Sequence, residues 1–228
     1  MRTFLLLMLP ILALCICGCR TPDFRRPDPD VSVTLLRGTV DALCAINPPR
    51  NSRNIASLDK AARYISNQFS SFGLCPEIQC FGPNREFKNV IASVGPSTGE
   101  RIVIGAHYDV CGDQPGADDN ASGIAALLEV ARFAGQHEKE LAYRVDFVAY
   151  SLEEPPYFGT GGMGSSFHAK ALHDAKIKIR AMVCFDMVGY FTDKEDSQQY
   201  PVFFLDWFYP DAGNYISVVG NYSSSSLV

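Results

Sequence analysis

Several marks of familiar protein classes are missing from this chain. Lys and Arg never cluster beyond the pair Arg25-Arg26, and the formal charge is −5, so no nucleic-acid surface is expected. No two cysteines stand as a C-x-x-C pair. Beyond the N-terminal segment there are five, Cys44, Cys75, Cys80, Cys111 and Cys184, an odd number that argues against both a full disulfide framework and a zinc ribbon. Cys75 and Cys80 stand five apart around an expected strand and would point to opposite faces, whereas Cys111 and Cys184 read as small buried apolar residues. No apolar run reaches the about 20 residues that span a bilayer core. No repeat is visible, and only Ser223 to Ser226 is of low complexity. With 47% hydrophobic and 20% charged residues, the chain is neither disordered, collagen-like nor a coiled coil. Its 228 residues suffice for one good-sized domain with a real core.

What is present begins with an address. Met1-Arg2-Thr3 is a short basic start, and Phe4 to Gly18 is an apolar run of 15 residues broken only by Pro10, the size of a signal-peptide core. The run closes in Ile16-Cys17-Gly18-Cys19, which resembles the lipobox of bacterial lipoproteins. Residues 1–18 are therefore expected to be a signal peptide, and Cys19 a lipidated N-terminus. Residues 19–32, rich in proline and charge, would be an extended tether. That places the protein in the cell envelope, exported and lipid-anchored to the membrane; the alternative is a plain signal cut near Gly18, giving a secreted or periplasmic protein.

The rest alternates between two periods. Ala61, Ala62, Ile65, Phe69 and Phe72 recur at helical spacing over Ser57 to Phe72, and Gly73 stops the helix. Pro76 to Phe81 predicts an edge strand and Asn89 to Val94 a second. The apolar run in Arg101 to Ala106 predicts a central strand covered on both faces. Ala121 to Ala134 predicts a helix, Tyr143 to Tyr150 a strand, His168 to Ala175 the end of a helix and Ile179 to Phe185 a strand. Val202 to Leu205 and Tyr215 to Val219 read as two more strands. The alternation argues for an α/β fold, one domain with a mixed, largely parallel central sheet flanked by helices.

Polar residues collect where those strands end. The strand through Ile102 runs into His107-Tyr108-Asp109, and the following loop delivers Asp118-Asp119-Asn120 to the mouth of a helix. The strand from Tyr143 ends in Glu153-Glu154-Pro155-Pro156, and the strand from Ile179 ends in Asp186. Sites in open α/β sheets form outside the C-terminal strand ends. Taken singly, each residue has a structural explanation: a hydrogen-bonded core histidine, an N-cap, a solvated turn. Together they bring an imidazole and several carboxylates to one rim, and crowded carboxylates call for a cation.

These segments resemble peptidase family M28, the zinc aminopeptidases of the bacterial leucyl-aminopeptidase type. The likeness rests on residues 105–109, 115–123, 152–156 and 185–190. Their order and spacing agree: 11 residues from His107 to Asp118, 35 to Glu153, and 32 from Glu154 to Asp186. Asn89-Val90-Ile91-Ala92, Met163-Gly164-Ser165 and Val218-Val219-Gly220-Asn221 fit as well. The resemblance implies two zinc ions. His107 and Asp186 would hold one, Glu154 the other, and Asp118 would bridge them. Glu153 would be the general base for a metal-bound hydroxide, and Asp109 would orient the His107 ring without touching metal. Asp119 would stand behind the ligands, and Asp119 or Asn120 would cap the helix.

One element of that pattern is absent. The second zinc takes a further histidine near the C-terminus of the family, and none of the four here, His107, His137, His168 and His173, lies in the 42 residues after Asp186. The expectation is a domain over 33–228 that lacks its C-terminal elements. The leading reading is a zinc-dependent aminopeptidase releasing N-terminal residues from peptide substrates, impaired by truncation. The alternatives are a glutaminyl-cyclase-like enzyme with a single zinc and an inactive remnant that binds metal or peptide.

Overall fold

The computed structural model describes residues 31–200, 207, 209–221 and 224. The signal peptide, Cys19, the tether up to residue 30, the strand expected at Val202 to Leu205 and all but Ser224 of the serine run lie outside them. Ser32–Val228 forms one compact unit.

Its elements are α1 (Val33–Cys44), α2 (Ile55–Ser71), β1 (Glu77–Phe81), β2 (Phe87–Val94), β3 (Arg101–His107), α3 (Gly123–Gln136), β4 (Arg144–Tyr150), α4 (Gly164–Asp174) and β5 (Ile179–Cys184). Helix α1 was not anticipated from the sequence. Ser32 starts it by accepting from the Leu35 N–H at 3.2 Å, and its buried residues, Thr39 and Leu43, face the core. Among the described residues no helix is long and apolar enough to cross a membrane.

The sheet order is β1-β2-β4-β3-β5. β3 pairs parallel with β4 and β5, while β2 is antiparallel to both β4 and β1. Four strands thus run one way and β2 against them, the mixed, largely parallel sheet that the alternation predicts.

Period-2 alternation divides the faces. Val145, Phe147 and Ala149 of β4 join the main core with Leu58, Ile65 and Phe69 of α2 and Ile124, Leu127 and Leu128 of α3. Val148 and Tyr150 face the other way, with Val103 of β3 and Leu172 of α4. This second layer is thin. At the edge, β5 leaves Ile179, Met182 and Val183 more than a third exposed.

The chain leaves β3 through α3 to reach β4 on one side, then leaves β4 through α4 to reach β5 on the other. Connections that depart in opposite directions open a crevice at the C-terminal ends of β3, β4 and β5.

Three expectations are corrected. Residues 215–219 form no strand; Ile216, Val218 and Val219 are 70–92% exposed, because apolar, β-prone residues make a strand only where a partner edge or layer covers them. Cys111 and Cys184 are exposed rather than buried, the first in a surface turn and the second on the edge strand. Helix α3 proper begins at Gly123 rather than Ala121, because residues 117–122 form a separate turn with non-helical backbone at Asp119 and Asn120.

Candidate metal centre

His107 ends β3 with a side chain only 4% exposed. Its Nε2 lies 3.3 Å from Asp119 Oδ1, 3.6 Å from Asp186 Oδ1 and 3.9 Å from Glu153 Oε2. His107, Asp119 and Glu154 each offer an atom within 4.8 Å of the other two, the spacing of a common ion. Four strand or loop ends, separated in sequence, therefore converge.

The backbone is bent to bring them there. Leu152, buried and just before the Glu pair, has φ +60°, and Met187, just after Asp186, has φ +48°. Non-glycine residues seldom adopt this left-handed region, and such strain persists where surrounding structure holds it. Asn89 supports the first turn, donating to Gly164 O at 2.8 Å and accepting from the Ser151 N–H at 3.3 Å.

Asp109 is buried behind the imidazole. Its two oxygens accept from the Glu153 and Glu154 N–H groups, each at 3.1 Å, and its Oδ1 is 3.5 Å from His107 Nδ1. One carboxylate thus fixes the backbone of both glutamates and faces the ring nitrogen turned away from the cluster. That is how an orienting partner of a ligand histidine is placed.

The two adjacent aspartates separate in the opposite sense to the expectation. Asp119 stands beside His107, whereas Asp118 turns away and its Oδ1 accepts from the Gly189 and Tyr190 N–H groups at 2.8 and 3.0 Å. Neighbouring side chains on an extended backbone diverge, so only one could face inward. Asn120 caps α3, its Oδ1 accepting from the Gly123 N–H at 2.9 Å. Glu153, Glu154 and Asp186 sit around His107 where the strand ends put them. Of the other histidines, His168 is buried against Tyr150, its Nδ1 3.1 Å from the phenol oxygen, and His173 is exposed.

Arg50 is a residue that spacing alone could not reveal. Its guanidinium, in a connection between helices, is buried and donates to Tyr108 O (2.7 Å), Leu43 O (3.1 Å), Pro115 O (2.5 Å) and Gly116 O (2.7 Å). It ties down both ends of the loop between His107 and Asp119. A lone arginine in Asn47-Pro48-Pro49-Arg50-Asn51 carries no periodic signal.

The electrostatics are those of a cation site. Burial alone would depress His107, but Asp109 and Asp186, with Glu153 behind them, overcome it and push its pKa to about 10. Burial, reinforced by Asp119, pushes Glu154 up to about 7, and burial also raises Glu153. Glu154 Oε1 is buried without a hydrogen-bond partner. Buried polar atoms are rarely left so, and a bound ion is one of the standard reasons. An imidazole nitrogen with carboxylate oxygens is a donor set that suits Zn²⁺, so the residues present fit the metal.

The sequence model of peptidase family M28 matches residues 89–204, the stretch that holds every acid and the histidine of this cluster. YfbL of Escherichia coli (strain K12), an uncharacterized protein, is 40% identical over 205 residues, 85% of this chain and 61% of YfbL. Leucine aminopeptidase 1 of Grosmannia clavigera is 34% identical over 113 residues, 45% of this chain and 26% of that one. Among solved structures, a glutaminyl cyclase from Porphyromonas gingivalis superposes with a TM-score of 0.59 at 27% identity, covering 71% of this chain and 61% of that chain. A Zn-dependent exopeptidase from Parabacteroides distasonis gives 0.57 at 26%, covering 71% and 63%. The chain therefore spans less than two thirds of each of these relatives. With a histidine and its surrounding acids gathered at the strand ends and the family pattern running across all of them, the chain belongs to peptidase family M28.

Proposed function

We propose that this chain carries the centre of a zinc-dependent exopeptidase that removes N-terminal residues from peptides. The observation that carries the reading is the meeting of His107, Asp119 and Glu154 within 4.8 Å, with Asp186 3.6 Å from the His107 ring. His107, Asp119, Glu154 and Asp186 would hold the metal. Bound zinc supplies a Lewis acid for the scissile carbonyl and brings the pKa of a coordinated water to about 7.

The protein's own groups do the rest. Glu153 keeps a partly exposed carboxylate at the mouth of the cluster, and burial raises its proton affinity. A carboxylate so tuned takes the proton of the attacking water and passes it to the leaving amine. Asp109 holds the Glu153 and Glu154 backbone, so the base and the neighbouring metal-binding acid move as one piece.

Glu153→Gln tests this directly. The variant should retain zinc by elemental analysis while hydrolysis of an aminoacyl chromogenic substrate falls about 10²–10⁴-fold. Wild-type turnover in that variant would overturn the role. The likeness to the P. gingivalis glutaminyl cyclase supports a second reading, intramolecular cyclisation of N-terminal glutamine with loss of ammonia. Mass spectrometry of a glutamine-initiated peptide separates cyclised from shortened product. Export and anchoring at Cys19 rest on the N-terminal segment alone, and loss of fatty-acid labelling in Cys19→Ser would support them.

A further inference from the structure

Asp186 is the most exposed of the acids around His107, with a side chain 57% exposed. Its position is therefore set by its backbone. That backbone is gripped on both sides by the turn that carries Asp119. Asn120 Nδ2 donates to Phe185 O at 2.9 Å, and Asn120 Oδ1 accepts from the Met187 N–H at 3.3 Å. Ser122 Oγ accepts from the Val188 N–H at 3.0 Å and donates to Asp118 O at 2.7 Å. Asp118 Oδ1 accepts from the Gly189 and Tyr190 N–H groups at 2.8 and 3.0 Å. Three side chains thus satisfy backbone groups at 185 and at every residue from 187 to 190, and they span the left-handed Met187. The approach is close: a Cβ on Gly189 would lie 2.6 Å from Ser122 Cβ and 3.2 Å from Asp118 Oδ1, so only glycine fits there.

We propose that Asp118, Asn120 and Ser122 are positioning residues, a clasp that locks Asp186 in register with Asp119 at His107, and that Asp118 binds no metal. The inference rests on the zinc reading for its consequence, although the clasp itself is independent of any ion. Holding two ligand carboxylates by one turn prepays the entropy of bringing them together, and losing such support costs about 10–100-fold in metal affinity or activity.

The test compares Asp118→Asn, Asp118→Ala and Asp119→Asn in metal titrations, with cobalt(II) absorption reporting the coordination geometry and amide hydrogen exchange reporting residues 187–190. Asparagine keeps the one oxygen that both N–H groups use, so Asp118→Asn should bind metal as wild type does, with an unchanged cobalt spectrum. Asp119→Asn should lose binding. Asp118→Ala should weaken binding about 10–100-fold, alter the cobalt band and speed exchange at residues 187–190. Gly189→Ala, which changes no clasp residue but drives a methyl group against Ser122 and Asp118, should do the same. If Asp118→Asn loses metal as completely as Asp119→Asn, Asp118 is a ligand and the inference fails. It also fails if Asp118→Ala leaves both affinity and exchange untouched. Absence of metal binding in the wild type would sink the zinc reading instead, and the exchange measurement would still decide the clasp.

Discussion

Arg50 holds four carbonyls with one planar group and lies buried, close enough for Asp109 and Asp119 to act on it through space. Lysine carries the same charge but has no fork, so it would leave several of those carbonyls unpaired. Arg50→Lys should lower unfolding stability by about 3 kcal/mol, read from the urea midpoint, and Arg50→Ala by at least as much. A midpoint unmoved by Arg50→Lys would mean that water replaces the guanidinium freely. At this scale the residue types were legible and their orientations were not. His107, Glu153, Glu154 and Asp186 stand at strand ends that their flanking apolar runs announce. The choice between Asp118 and Asp119 depends on the dihedrals of one turn, on which spacing is silent.

Strands β3 and β4 are joined near their starts by Asp146, whose carboxylate is 1% exposed. It accepts from Ser93 Oγ (2.6 Å), Arg101 Nη1 (2.9 Å) and Arg144 Nε (3.1 Å). Burial works to raise its pKa, but the Ser93 and Arg101 bonds, with Arg144, outweigh it and hold Asp146 below the ordinary carboxylate range. A depressed folded pKa contributes stability above the unfolded value of about 3.9, which is lost as pH falls through the folded one. Asp146→Asn should therefore cost about 3 kcal/mol at neutral pH and shrink the stability difference from wild type at the acid end. Equal losses at pH 7 and pH 3 would contradict the account. The elements themselves were largely readable. Helix α2 and strands β1 to β4 fall within two residues of their expected bounds, because each has a clear apolar period. Helix α1 escaped notice because it buries only Thr39 and Leu43 and follows a polar stretch. The strand expected at residues 215–219 failed for the converse reason, apolar sequence with no partner strand among the described residues.

Across the molecule, five carboxylates gather about one imidazole, and the proposed zinc would act there as their counter-charge. Removing metal with a chelator should lower the melting temperature, and zinc at a hundredfold excess over its Kd should restore about 2.7 kcal/mol. A melting curve indifferent to both treatments would argue against the site. Among the described residues no strand pairs with the outer edge of β5, and Met182 and Val183 are exposed there; an edge of that kind is a template for edge-to-edge pairing. Met182→Lys should reduce light scattering at high protein concentration; unchanged scattering would place the sticky surface elsewhere.

The order of strands and helices, and the presence of metal-capable groups at successive strand ends, followed from the sequence alone, because hydrophobic period and residue chemistry are local properties. Which aspartate faces His107, that Arg50 braces the loop behind it, and that residues 118–122 grip the backbone around Asp186 were settled only by the tertiary structure. Those contacts join segments about 60 to 70 residues apart, through backbone turns whose direction no local period encodes.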